Sequence, residues 1–309
     1  MSFTITILGS SSAKPTVARH PSSQVVNICE QYFLVDAGEG CQRQMFRYKI
    51  NPLKLKAVFI SHLHGDHVYG LFPLISTLGL YGRQTPLVVY APRPFGEMLE
   101  AHMRLFDRNL SYEVKWVEVG TRRHTLLFEN RTLEVWNIPL KHRVACSGYL
   151  FREKQPPLNV DKFKITKYGL SIAQITAAKR GEDVVLSTGE VITNDQLTYT
   201  PHRGRSYAYI SDTSYTPRVG ELCRDVNLLY HEATYMADEQ QSASQRGHST
   251  TRDAARAAIE ANASRLIIGH FSTRYKQLTP VLDEARNTFI NTELAEEGRQ
   301  FEIEKTKIL

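Results

Sequence analysis

The chain has 309 residues, 42% hydrophobic and 23% charged, with 38 Lys and Arg against 32 Asp and Glu. This balance excludes wholesale disorder, supports a large buried core in one or two domains, and leaves a mild positive excess compatible with a polyanionic partner. No apolar run reaches the roughly 18–20 residues that cross a bilayer, and the opening MSFTITILG lacks a secretory signal, which points to the cytoplasm and to four reduced cysteines (Cys29, Cys41, Cys146, Cys223).

In chain order, the β-branched alternation of residues 3–8 predicts a strand, followed by a small, polar, Pro-containing loop to Ser23. Residues 24–29 and 32–35 read as two strands with a tight turn at Glu30 and Gln31. Asp36 to Gly40 is a loop, and 41–48 a short helix. Lys56 to Ile60 is a buried strand that runs straight into Ser61-His62-Leu63-His64-Gly65-Asp66-His67. Helices are expected at about 68–79 and 94–107, with a strand at 87–90 between them. From 112 to 151 strand follows strand. Strands return at 207–210, 227–230 and 265–268, with a capped, alanine-filled helix over 249–261. A helix at about 280–295 and a strand near 301–304 close the chain. The pattern predicts an α/β protein with two sheets sandwiched between helices.

Residues 152–200 lack a strong period and read as an insertion or arm within a single domain spanning 1–309, without a core of its own. Between 152 and 180 they carry seven Lys and Arg against two acids.

The strongest chemical signal is His62-x-His64-x-Asp66-His67 after a buried strand. Imidazole nitrogens and carboxylate oxygens suit zinc and related divalent ions. Residues two apart at a strand end can grip one ion, and Asp66 and His67, beyond the Gly65 turn, can reach a second. Such a cluster is costly to bury without a metal. His142, His231, His270 and Asp212 also follow predicted strands, and strand ends on one sheet edge converge on a cleft.

His62-Leu63-His64-Gly65-Asp66-His67 resembles the signature of the metallo-β-lactamase-like hydrolases. Further segments resemble ribonuclease Z, the family of endonucleases that remove 3′ trailers from tRNA precursors. They are Gly9 to Pro15, Pro139 to Tyr149, Ser211-Asp212-Thr213, His231 to Thr234, Gly247-His248-Ser249 and Gly269 to Tyr275, all in the family's order. The resemblance implies a four-layer αβ/βα sandwich with a protruding basic tRNA-binding arm at 152–200. It implies two zinc ions per subunit: one on His62, His64 and His142, the other on Asp66, His67 and His270, with Asp212 bridging. Asp66 would also orient or deprotonate the attacking water, and His248, held by Glu232, would protonate the leaving group. A homodimer acting on a tRNA precursor is implied too. The early loop departs from the family's usual Pro-x-Lys-x-Arg-Asn: here Val17 and His20 replace the Lys and Asn, and Arg19 is retained.

Two other functions compete. One is a small-molecule phosphodiesterase, arylsulfatase or lactonase on the same fold, which has no need of a positive arm. The other is a non-catalytic RNA-binding protein without metals.

Overall fold

The structure, a computed structural model, describes residues 2–306. Two seven-stranded sheets form its centre. The first has the spatial order Gln300–Glu302, Phe3–Gly9, Ser23–Ile28, Gln31–Ala37, Leu55–Phe59, Leu87–Ala91, Val114–Glu118. The second has the order Thr292–Leu294, Arg265–Gly269, Leu228–Glu232, Ser206–Ile210, Ser147–Glu153, Leu133–Pro139, Leu126–Glu129.

The two-residue period of each strand sorts side chains between layers. Phe33, Val35, Ala57 and Phe59 of the first sheet share one apolar cluster with Tyr149, Phe151, Tyr207 and Tyr209 of the second. Leu34 and Val58 point the other way, onto helices Cys41–Arg47, Leu71–Leu80 and Phe95–Leu105. Leu150, Ala208 and Leu229 likewise meet Ala254 and Ala258 of helix Thr251–Glu260 and Val281 of helix Thr279–Arg286. Strands buried on both faces explain the near-continuous apolar runs in the sequence. The result is the expected α/β four-layer sandwich.

The helix predicted from 249 begins at Thr251, where Thr250 and Asp253 form a reciprocal capping box. The turn after the second strand falls on Cys29 and Glu30, one residue earlier than expected. Both take positive φ, 52° and 64°, as a tight hairpin of matching twist requires.

Two sequence expectations need correction. The helix placed at 280–295 stops at Arg286, because Thr292–Leu294 pairs in parallel with Leu266–Ile268 and extends the sheet instead. The 152–200 segment is more ordered than its composition suggests. It holds helices Lys162–Tyr168 and Ile172–Lys179, two short strand pairs, and a small apolar cluster of its own around Val160, Leu170, Ala178, Val184, Ile192 and Leu197. Its positive charge is also confined to the first half. Glu182, Asp183, Glu190 and Asp195 follow, so the whole segment carries seven bases and six acids and is nearly neutral.

Glu153 and Arg205 close the neck of this segment. The Arg205 guanidinium donates to both Glu153 oxygens, at 2.9 and 2.7 Å, and to the Ile303 carbonyl at 2.8 Å. All four cysteines are free thiols, three of them buried. No helix among the described residues is long and apolar enough to cross a membrane.

Candidate metal centre

The C-terminal ends of the parallel strands in both sheets open on the same edge. Strand Gln31–Ala37 delivers Asp36, and strand Leu55–Phe59 leads into Ser61 and His62. From the second sheet come Asp212, Glu232 and His270, and the loop between Leu133–Pro139 and Ser147–Glu153 brings His142. Seven donor residues from four separate stretches of sequence thus meet here, in two adjoining sets, and Asp212 and His270 also group with His248.

In the first set, His64 Nδ1 lies 2.9 Å from His62 Nε2 and 3.3 Å from His142 Nε2. Asp212 Oδ2 stands 3.6 Å from His62 Nε2 and 3.9 Å from His142 Nε2. In the second, His67 Nε2 and His270 Nε2 are 3.3 Å apart, and Asp66 Oδ2 is 3.4 and 3.5 Å from them. Asp212 Oδ1 closes this set at 3.5 Å from His67 and 3.2 Å from His270. Four donors held tetrahedrally at zinc distances sit roughly 3.3–3.6 Å from one another. The second set, at 3.2–3.5 Å, matches this spacing, the first spreads around it at 2.9–3.9 Å, and Asp212 offers one oxygen to each.

The remaining ring nitrogens fix which lone pairs face inward. His67 Nδ1 donates to Asp36 Oδ2 at 2.7 Å, His142 Nδ1 to the Gly247 carbonyl at 2.7 Å, and His270 Nδ1 to Thr234 Oγ1 at 2.8 Å. Ser61 Oγ donates to Asp36 and so accepts from His62 Nδ1 at 3.0 Å. In each case Nε2 is left for the centre, the arrangement metal-binding histidines use. Gly247 can approach His142 this closely because it has no side chain: a Cβ there would lie 2.9 Å from His142 Nδ1, on a backbone with φ of +76°.

Charge points the same way. Burial lowers the pKa of His62, His64 and His142, so they stay neutral and keep their lone pairs. His67 differs: burial opposes charge on it, but Asp66, Asp212 and Asp36 outweigh this and hold its pKa well above the usual imidazole value, so its Nε2 keeps a proton that a cation in the second set would displace. For Asp66 and Asp212 burial pushes upward, and the surrounding histidines override it and hold both carboxyls far below the usual range. Among the described residues, Asp36, Asp66 and Asp212 have only histidines as ion-pair partners. Such a negative concentration in a buried site calls for cations.

Glu232 is fully buried and saturated. It accepts from Thr213 N at 2.9 Å, Thr234 N at 3.1 Å, Thr234 Oγ1 at 2.6 Å and His248 Nδ1 at 2.9 Å. Burial opposes a charge on His248, but Glu232 beside it pushes its pKa up to about 9. His248, His64, Asp66, Arg143 and Arg246 line an open cavity of about 820 Å³ over the metal centre.

The early loop forms another wall of this cavity. Ala13 N donates to Asp66 Oδ2 at 2.8 Å. Arg19 is tied back to the Tyr275 carbonyl at 3.0 Å, His20 pairs with Glu297 at 2.8 Å, and Val17 is fully exposed. His231 stands apart from both donor sets: it is buried, and its Nδ1 donates to the Glu232 carbonyl at 2.7 Å. Sequence reasoning missed Asp36, Ser61 and Thr234, which orient the histidines. The available signal for Asp36 was an acid ending a strand just before Gly38.

The fold and this centre define a hydrolase of the metallo-β-lactamase class. In agreement, a family model described as "Beta-lactamase superfamily domain" matches residues 31–271. The chain is 41% identical to ribonuclease Z of Bacteroides thetaiotaomicron over 96% of this chain and 94% of that protein. It is 40% identical to ribonuclease Z of Parabacteroides distasonis over 97% of this chain and 99% of the relative. Among solved structures, the short form of human tRNase Z superposes with a TM-score of 0.69 at 24% identity, covering 96% of this chain and 98% of its own. The metallo-β-lactamase fold protein YhfI of Bacillus subtilis gives 0.69 at 19% identity, covering 98% and 100%. These two likenesses concern the fold. At the identity and coverage of the two bacterial relatives, the chain belongs to the ribonuclease Z family of endoribonucleases.

Proposed function

We propose that the protein removes the 3′ trailer from tRNA precursors, hydrolysing one phosphodiester with two zinc ions and leaving a 3′-hydroxyl on the tRNA. The observation that carries this reading is the pair of His/Asp donor sets meeting at Asp212, in a chain 39–41% identical to proteins named ribonuclease Z. His62, His64, His142 and Asp212 would hold one ion, and Asp66, His67, His270 and Asp212 the other. Zinc there would supply Lewis-acid charge to the phosphodiester and make water ionisable at pH ~7.

The chain's own groups do the rest. Asp66, fixed by the Ala13 N–H, orients the attacking water. Glu232 holds His248 by Nδ1, which leaves Nε2 free to face the cavity. From there His248 hands a proton to the ribose 3′-oxygen as the phosphorus–oxygen bond breaks. Its raised pKa keeps that proton on at neutral pH. The first half of the 152–200 arm, with Lys162, Lys164 and Lys167, grips tRNA phosphates. The reading includes a homodimer, in which one subunit's arm serves its partner's site, and a cytoplasmic location alongside the precursors.

The test is incubation of zinc-loaded protein and the Asp66→Ala variant with a 3′-extended tRNA precursor and with a small chromogenic phosphodiester. Cutting at the 3′ end of the tRNA, absent in the variant, is expected. Hydrolysis of the small ester alone would hand the function to a small-molecule phosphodiesterase.

A further inference from the structure

A second cleft of about 640 Å³ opens at Ala145, three residues after His142. Its walls are Pro92 to Pro94 after strand Leu87–Ala91, the loop from Glu118 to Thr125, and Ala145. Ala145 belongs to the same short loop as His142 and Arg143, and Arg143 lines the catalytic cavity. The two depressions therefore share this loop as a wall. Arg143 and Ala145 are two residues apart, so their Cα atoms are at most about 7.6 Å apart.

Three arginines, Arg93, Arg122 and Arg123, face this cleft and are exposed. Among the described residues none of their guanidinium groups has a hydrogen-bond or ion-pair partner in the protein. Among the described residues Glu118 is the only acid lining the cleft, and its carboxylate too has no partner there. This contrasts with Arg205 and Arg83, whose guanidinium groups are tied to carboxylate or carbonyl oxygens.

The loop that carries two of these arginines is held in place. Asn137, fully buried on strand Leu133–Pro139, commits its whole amide to it. Asn137 Nδ2 donates to the carbonyls of Gly120 at 2.6 Å and Arg123 at 2.9 Å. Its Oδ1 accepts from Thr125 N at 2.6 Å and Thr125 Oγ1 at 2.9 Å. A buried polar side chain satisfied entirely by one exposed loop preorganises that loop. The arginines are thus presented on a fixed backbone, which lowers the cost of ordering them on a ligand.

We propose that Arg93, Arg122 and Arg123 form a phosphate-backbone subsite for the RNA strand next to the scissile bond, reached across the loop of His142 to Ala145. The proposal rests on the endoribonuclease reading above. Forked guanidinium donors match phosphate oxygens, and strands held this way respond to salt. The phosphates come either from the trailer or from the tRNA body.

The experiment compares wild type with Arg93→Gln/Arg122→Gln/Arg123→Gln. First, binding of a fluorescent tRNA precursor is read by anisotropy in chelator, which suppresses turnover, over a series of salt concentrations. The slope of log affinity against log salt should flatten by about 0.7 for each single-strand phosphate that is no longer neutralised, about 2 in all. The Lys-for-Arg triple variant should recover most of the slope. Second, with zinc present, KM for the precursor should rise while kcat and hydrolysis of the small ester stay unchanged. Precursors with one-nucleotide and twelve-nucleotide trailers identify the source: a defect confined to the long trailer assigns the trailer, and an equal defect assigns the tRNA body. An unchanged salt slope in a folded triple variant overturns the subsite. Failure of wild type to cut any precursor would overturn the proposed function instead, and the anisotropy series would still decide the subsite.

Discussion

His270 Nδ1 lies 2.8 Å from Thr234 Oγ1, and the same hydroxyl donates to Glu232 Oε2 at 2.6 Å. A hydroxyl has one hydrogen. Since Thr234 gives it to Glu232, it must accept from His270, which places the imidazole proton on Nδ1 and turns Nε2 toward Asp66 and Asp212. One side chain therefore links the second donor set to the Glu232–His248 pair.

Thr234→Val keeps the shape and removes both bonds. Zinc affinity at the second set should fall about 10–100-fold, as loss of such an outer partner usually costs. Isothermal titration of stripped protein would show one of two sites weakened and the other intact. Two unchanged sites would mean that Thr234 does not orient His270.

His248→Ala separates acid catalysis from metal chemistry. The ribose oxygen is a poor leaving group and needs a proton, and general acids contribute roughly 10²–10⁴-fold. Precursor cleavage should drop by that order. A nitrophenyl phosphodiester, whose leaving group is already stable as an anion, should be hydrolysed at nearly the wild-type rate. Equal losses on both substrates would assign His248 to metal or substrate binding.

The insertion should be separable from the domain. Strands Ser147–Glu153 and Ser206–Ile210 are antiparallel neighbours, with Arg152 opposite Ser206, so the cut ends already meet. Replacing residues 155–203 with a two-residue hairpin turn should leave hydrolysis of the small ester unchanged and abolish tRNA cleavage. Parallel loss of both activities would show that the segment supports the metal centre.

The ion pair at the neck sets an acid limit on stability. Burial raises the Glu153 pKa, but the hydrogen bonds and charge of Arg205 outweigh this and lower it overall. A group whose pKa is depressed on folding contributes stability above its unfolded pKa, ~4.3, and loses that contribution as pH falls through the folded value. Melting temperatures taken from pH 7 down to pH 3 should show a steeper acid decline in wild type than in Glu153→Gln. Identical curves would show that the pair adds no pH-dependent stability.

The layers of the fold were legible because the strands alternate and the helices are amphipathic or capped. Thr292–Leu294 was not, since a three-residue strand takes its identity from pairing with Leu266–Ile268 and not from its own period. The donor residues were legible because histidine and aspartate at strand ends carry their chemistry in their names. Their supports were not. Asp36 accepts from Ser61 N, Ser61 Oγ, His67 Nδ1 and Tyr209 Oη, residues brought to it only by tertiary packing. The nearly balanced charge of 152–200 is open to simple counting, but a count that stops at Arg180 omits the acids that follow.

The proposed reaction would turn on two cations, with Asp212 offering an oxygen to each donor set. The most direct test is precursor cleavage by chelator-stripped protein as zinc is added back in known equivalents. No cleavage without metal, and a rise that saturates at two equivalents per chain, is the expected result. Cleavage by stripped protein, or full activity at one equivalent, would contradict it.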